Sequence, residues 1–276
     1  MTVSQAEKGK QFRKLHDGPG AFIIPNPWDA GTARMLAALE FSALATTSAG
    51  LAFSLGRRDG EGLVSRAEMM EHARAIVNAS ALPVSADLEN GFGDDPKTVA
   101  ETIHLAAEAG LVGGSIEDAT GDPRSPIYDP TQAVERVAAG VEAARALSFP
   151  FTLTARAENF LHGRTDIDDT IRRLQSFAAA GADVLYAPGL PDLAAIRAVC
   201  AAVAPRPVNV LALANTPPIA DLETAGVRRV SIGSGLTKVA LTAFFNAAKE
   251  MKEHRTFTFT KSGLSFTEVN SFMAGK

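Results

Sequence analysis

The stretch from residue 83 to 118 reads Pro83-Val-Ser-Ala-Asp87-Leu-Glu89-Asn-Gly91-Phe-Gly93-Asp94-Asp95-Pro96, an alanine-rich run to Ala109-Gly110, and then Gly113-Gly-Ser115-Ile-Glu117-Asp118. It is one complete unit: an apolar β-type run ending in acids, a glycine loop, a helix begun by proline and stopped by glycine, and a second apolar run ending in acids. Residues two apart in an extended strand point to the same side, so Asp87 and Glu89 are expected to share one face where strand becomes loop. Two carboxylates so placed suit a hard divalent cation, which keeps several waters and leaves room for an oxygen-rich ligand. The competing reading is that the acids only cap the helix beginning at Pro96. The second pair, Glu117 and Asp118, favours the metal, because neighbouring parallel strands then bring acids to the same end of one sheet.

The same unit repeats outward in both directions. Strands are predicted over Ala21–Asn26, Ser42–Ser48, Pro83–Leu88, Gly113–Asp118, Phe151–Arg156, Val184–Pro188, Val208–Ala212 and Arg229–Gly233. Helices are predicted over Trp28–Leu39, Ser65–Ala79, Pro96–Ala109, Thr131–Leu147, Ile167–Ala180, Asp192–Val203, Pro217–Ala225 and Leu236–Lys252. Eight alternating units in a chain of 276 residues predict a single α/β domain, a (β/α)8 barrel. An open doubly wound sheet is the second choice; against it, Asn26-Pro27-Trp28-Asp29 follows the first strand where a glycine fingerprint would stand. Residues 253–276, with Phe257, Phe259, Leu264, Phe266, Val269 and Phe272, are too apolar to be left in water. They read as a C-terminal extension that packs on the barrel or on a neighbouring subunit.

An apolar fraction of 46% with 21% charged residues is that of an ordinary globular protein. A net charge of -4 with scattered Lys and Arg offers no stripe for a phosphate backbone, so nucleic acid is not expected as a partner. The amino-terminal segment to Gly20 is polar and has no secretory pattern, and no apolar run reaches the length of a membrane span; a cytoplasmic protein with no membrane partner is expected. Cys200 is the only cysteine, which excludes disulfide frameworks and zinc-cysteine sites. His16, His72, His104, His162 and His254 show no close ligand spacing.

In such a barrel the active site lies at the C-terminal ends of the strands. Those ends carry Thr46 to Gly50, Asp87 and Glu89, Glu117 and Asp118, Arg156 and Glu158, Tyr186, and Asn209, a polar ring in an apolar chain. Arg156 reads either as a structural cation for the acids or as the group that holds a substrate carboxylate or a developing enolate oxygen. Ser48, Ala49 and Gly50 either form a tight turn or offer backbone N–H groups to a carboxylate.

Taken in order, Thr47-Ser48-Ala49-Gly50-Leu51, Leu55-Gly56-Arg57-Arg58-Asp59, Asp87-Leu-Glu89-Asn-Gly91-Phe-Gly93, Ser115-Ile-Glu117-Asp118 and Ala155-Arg156-Ala157-Glu158 resemble the isocitrate lyase and phosphoenolpyruvate mutase superfamily over roughly Pro25 to Gly235. The resemblance implies a (β/α)8 barrel, dependence on Mg2+ (with Mn2+ accepted by the same oxygen ligands), and chemistry through the enolate of pyruvate or a similar 2-oxo acid. It implies Asp87 as the main metal ligand, with Glu89 and Glu117 holding the metal's water shell. Thr47, Ser48, Ala49 and Gly50 match the segment that binds the substrate's carboxylate and oxo groups, and Asn209 from the ring of strand ends joins them. Asp59 and Arg156 are implied as catalytic, and Tyr186, Tyr128 or water is left as the proton donor. A homo-oligomer, a dimer or a tetramer exchanging a C-terminal helix, is also implied.

Two positions depart from the family pattern. The loop after strand four has Gly121-Asp-Pro-Arg124-Ser-Pro-Ile-Tyr128 where the carbon-carbon lyases carry a Lys-Lys/Arg-Cys-Gly-His motif, and Pro188 stands where methylisocitrate lyases have a substrate-binding Glu. The reading is therefore a lyase acting on a small 2-oxo or 2-hydroxy acid, including decarboxylation of an oxaloacetate-like acid. Phosphorus-carbon chemistry and a barrel that binds a 2-oxo acid without turnover are the alternatives.

Overall fold

The computed structural model describes residues 3–274. In chain order its elements are α1 (Gln5–Asp17), β1 (Phe22–Ile24), α2 (Ala30–Ala38), β2 (Leu44–Ala45), α3 (Ser48–Ser54), α4 (Arg66–Ala79), β3 (Val84–Asp87), α5 (Pro96–Glu108), β4 (Gly113–Glu117) and α6 (Pro130–Ala146). There follow β5 (Thr152–Arg156), α7 (Ile167–Ala179), β6 (Val184–Tyr186), α8 (Leu193–Val203), β7 (Val208–Leu211), α9 (Ile219–Thr224), β8 (Arg229–Ser231), α10 (Gly235–His254) and α11 (Phe266–Met273).

The eight strands are parallel and run in the order β1-β8-β7-β6-β5-β4-β3-β2. Ala45 N–H reaches Pro25 O at 3.0 Å across the gap between β1 and β2, which makes the sheet a barrel. All eight predicted strands and the eight predicted helices are present. The first two strands are shorter than their apolar runs, for a local reason in each case. Pro25 has no N–H to give, and the next residue, Asn26, turns its side-chain oxygen to the N–H groups of Ile232 and Gly233, both at 2.9 Å. Thr47 leaves the strand to cap α3, its hydroxyl accepting from Gly50 N–H.

The core lies between sheet and helices, where Val84, Leu153, Leu185 and Val208 meet Ile76, Ile103, Leu174 and Val199. Helix α1, which the polar amino-terminal sequence did not suggest, is stabilised by a Ser4/Glu7 capping box and closes the N-terminal end of the barrel with Phe12. Gly9 is required in α1, because a Cβ there would sit 2.4 Å from Pro150 O.

Helix α10 behaves differently from the other long helices. Of its 20 residues only Thr237 is buried, and Phe244 and Phe245 are 73% and 67% exposed. Helix α11 folds back on α2, where the Arg34 guanidinium donates to Met273 O. Among the described residues no helix is long and apolar enough to cross a membrane.

Candidate active site

The polar strand ends meet at the C-terminal mouth of the barrel around Arg156, the last residue of β5. Its guanidinium donates to Asp87 (2.9 Å) and Glu158 (2.9 Å) and forms an ion pair with Glu117 (3.1 Å), with only 13% of the side chain exposed. The aromatic ring of Tyr186 supports it, its centre 5.2 Å from the guanidinium carbon. Asp87 is held on both oxygens: one accepts from Arg156, the other from the Ser48 hydroxyl (3.0 Å) and Ser48 N–H (3.3 Å). Its own N–H donates to the Thr46 hydroxyl at 3.0 Å. The residues expected to bind substrate, Thr47 to Gly50, form the cap and first turn of α3 and so place Ser48 beside the metal-type aspartate. Gly50 permits that approach, since a Cβ there would lie 2.5 Å from Thr47 Cγ2.

Asp87 and Glu89 do converge on the mouth, but not by the alternation first expected. Strand β3 ends at Asp87, Leu88 turns into the core, and Glu89 adopts φ 48°, a left-handed conformation. A buried cation fixes that loop. Arg136, 1% exposed on α6, donates to the carbonyls of Gly93 (2.6 Å), Asp94 (2.5 Å) and Asn90, and stacks on Tyr128 at 4.2 Å. The Tyr128 hydroxyl donates to Asp94 at 2.5 Å, so that ring is committed to the clamp and not to proton transfer.

The second acidic pair divides. Glu117 faces the mouth, whereas Asp118 is 2% exposed, accepts from Glu158 N–H (2.8 Å) and pairs with Arg173 on α7 at 3.0 Å. Asp118 is thus a structural acid, its pKa raised to about 6 chiefly by burial. Glu158, which the sequence placed at a strand end without a role, is the third anchor of Arg156. Its spacing of two from Arg156 was the available signal. Asn209 lies below the mouth, 1% exposed inside the barrel, where its amide donates to Ser231 and accepts from Arg229.

Asp59, Asp87, Glu89, Glu117 and Glu158 gather around the one guanidinium of Arg156. Burial first, then Asp87 and Asp59, lifts Glu89 to about 7. Burial lifts Glu117 well above the carboxylate range against the pull of Arg156, with Glu158, Asp87 and Glu89 adding to the rise. Asp59 stands exposed at the rim, yet desolvation first and then the charge of Asp87 raise its pKa. Tyr186 is pushed up to about 12, by burial before any charge, and so stays protonated.

This surplus of acid is chemically suited to a divalent cation. Among the described residues no three His, Cys, Asp or Glu side chains form a closed metal cage. An ion here would draw on one or two of Asp87, Glu89 and Glu117 and on water, the mode magnesium favours. The mouth opens onto a cleft of about 850 Å³ lined by Ser48, Asp59, Glu89, Glu117 and Arg156, within the size range of small-molecule sites. The loop after β4 brings no thiol to it; Cys200 sits on α8 in the outer layer, buried, with its thiol raised to about 11 by that burial.

Comparisons with known proteins agree with this geometry. The family model for phosphoenolpyruvate phosphomutase matches residues 12–252. An uncharacterised protein of Mycobacterium tuberculosis is 31% identical over 243 residues, covering 88% of this chain and 89% of its own. The oxaloacetate decarboxylase of Bradyrhizobium diazoefficiens is 31% identical over 200 residues, covering 70% of this chain and 67% of its own. A solved structure of a lyase or mutase candidate from Burkholderia cenocepacia superposes with a TM-score of 0.94 at 58% identity, over 98% of this chain and 96% of that one. The chain belongs to the phosphoenolpyruvate mutase family, within the isocitrate lyase superfamily, and is an enzyme of that group.

Proposed function

We propose that the protein is a divalent-metal-dependent lyase that breaks a carbon-carbon bond of a small 2-oxo acid through a pyruvate-type enolate, with decarboxylation of an oxaloacetate-like dicarboxylate as the favoured reaction. The observation that carries this reading is the Ser48–Asp87–Arg156 constellation, set in an excess of acid at a mouth to which the β4 loop brings no thiol. A lyase releasing a carbanion must be given a proton, and the usual donor is missing here. Decarboxylation needs none to break the bond: the C3–C4 bond cleaves, carbon dioxide departs, and the electron pair remains as the enolate.

In this scheme a divalent metal would be held by Asp87, with Glu89 and Glu117 holding its water shell, and would supply Lewis-acid polarisation of the substrate's 2-oxo group. Ser48 N–H and Arg156 orient the carboxylate and oxo groups, and Arg156 stabilises the oxygen as charge develops on it. Asp59 closes the rim. The enolate carbon then takes its proton from water or from Tyr186, which burial keeps protonated.

The test is release of pyruvate or another 2-oxo acid from oxaloacetate, malate derivatives and 2-methylisocitrate, with and without magnesium. Turnover that needs magnesium and disappears in Asp87→Ala supports the assignment. Full activity in Asp59→Ala or Arg156→Ala sinks it. The family model favours a second reading, phosphorus-carbon chemistry; phosphate release from phosphonopyruvate would select it. We propose also that the exposed face of α10 packs on a second copy of the chain, making a dimer or tetramer.

A further inference from the structure

Barrel interiors of this kind are usually filled by branched aliphatic side chains. Here the space below Arg156 and Asp87 is bounded by Ser85, Ser115, Asn209 and Ser231, and a cavity of about 60 Å³ lies among them. That is several times the ~10–15 Å³ needed by one water, and it takes a planar group of three or four heavy atoms. On its wall is Arg229, the first residue of β8, 5% exposed.

The partners of Arg229 are all neutral. Its guanidinium donates to Asn209 Oδ1 (2.9 Å), to Thr154 Oγ1 (3.0 Å) and, at 3.4 Å, to His16 Nε2. His16 Nδ1 lies 2.8 Å from Phe12 O, so that nitrogen carries the proton and Nε2 is the acceptor. Burial before all else, followed by the charge of Arg229, drops the His16 pKa to about 3 and keeps the ring neutral. Of the groups that act on Arg229, Tyr186 is a neutral phenol and Arg156 a like charge; burial before both lowers its own pKa to about 10, and among the described residues no carboxylate pairs with it. Asp87 shares the cavity wall, but its oxygens are engaged by Arg156 and Ser48.

A buried guanidinium without an anion is costly to keep. A guanidinium offers five N–H donors in a fork that matches a carboxylate, and the three neutral partners engage only part of it. We propose that the barrel interior beneath Arg156 is a binding site for one small planar oxyanion, with Arg229 as its cation and Ser231 and Asn209 beside it. The oxyanion is either the second carboxylate of the substrate, in which case the site rests on the function proposed above, or a free anion such as bicarbonate. A site on Arg229 would make the enzyme select dicarboxylates over monocarboxylates or respond to dissolved anions.

The experiment is calorimetric titration of the full-length protein in chloride-free buffer with formate, bicarbonate, succinate and butanoate, repeated on Arg229→Gln. Formate or bicarbonate binding that weakens at least tenfold in the variant establishes the site for a free anion. Succinate binding at least tenfold tighter than butanoate, a preference lost in the variant while formate stays silent, assigns it to a substrate carboxylate. Should Arg229→Gln fail to fold, Ser231→Val fills the cavity with the guanidinium in place and is expected to abolish the same binding. Affinities unchanged within twofold in a folded variant, or no binding by any of the four, overturn the proposal. No turnover is measured, so silence toward the acid panel above would refute the proposed reaction and leave this site standing.

Discussion

Replacing Arg156 by Gln removes the one cation among Asp87, Glu117 and Glu158 and leaves three close carboxylates in a site where the arginine side chain was 13% exposed. Removing one partner of a buried ion pair typically costs ~3–5 kcal/mol. Water reaches this mouth, so the lower end, about 3 kcal/mol, applies to the metal-free protein. At about 2–4 °C per kcal/mol for a domain of this size, the melting temperature at pH 8 should fall by roughly 6–12 °C. The pH dependence has a definite sign. Glu117 and Glu89 already have pKa values raised in the folded state, and in both Arg156 opposes the rise. Without it they rise further. An acid with a raised folded pKa contributes stability that is present below its unfolded value and lost as pH climbs through the folded one. The deficit of Arg156→Gln should therefore shrink at pH 5 and grow toward pH 8. Thermal denaturation of both proteins over that range, with metal removed by a chelator, is the assay. An equal deficit at every pH, or none, would refute the view that Arg156 is the cation on which this acid cluster depends.

Three further outcomes follow from particular contacts. Gly50→Ala puts a methyl group 2.5 Å from Thr47 Cγ2 and 2.9 Å from Trp28 Cβ; the start of α3 must shift, at about 1–3 kcal/mol, and steady-state assays should show kcat/KM lower by roughly ten- to a hundredfold as Ser48 leaves Asp87. Tyr128→Phe removes the hydroxyl that donates to Asp94 and should cost about 1–2 kcal/mol in urea denaturation; unchanged stability would mean that the Arg136 clamp holds the Glu89 loop without it. Phe244→Glu with Phe245→Glu changes side chains that are 73% and 67% exposed in the single chain, so light scattering should give a smaller particle with the subunit fold intact, and an unchanged mass would count against α10 as the subunit contact.

Much of the architecture was legible because each unit carries its own punctuation. Pro96 begins a helix and Gly110, at φ 93°, follows its end, and the same apolar runs recur between such marks. Local chemistry of this kind is read by the chain itself. The elements that escaped notice lack a periodic apolar signal of their own: α1 is polar over most of its surface, and α3 is only seven residues long and opens with Ser48-Ala49-Gly50, which pass equally well for a turn.

The site divides along the same line. Which acids and which arginine stand at strand ends can be read along the chain, because strand direction in a parallel barrel sends every C-terminal end to one mouth. Which of them share a charge environment depends on how the barrel packs. Asp118 is adjacent to Glu117 yet turns outward to Arg173, while Glu158 and Asp87, 71 positions apart, grip one guanidinium. Glu89 reaches the mouth through a left-handed backbone held by Arg136, a residue with no sequence pattern to announce it. Asn209 looked like a strand-end residue and lies below, against a buried Arg229. The physical reason is common to all four. Local pattern sets conformation and the face a residue occupies, but burial, charge and hydrogen-bond partners are set by residues distant in sequence, whose positions exist only once the barrel has closed.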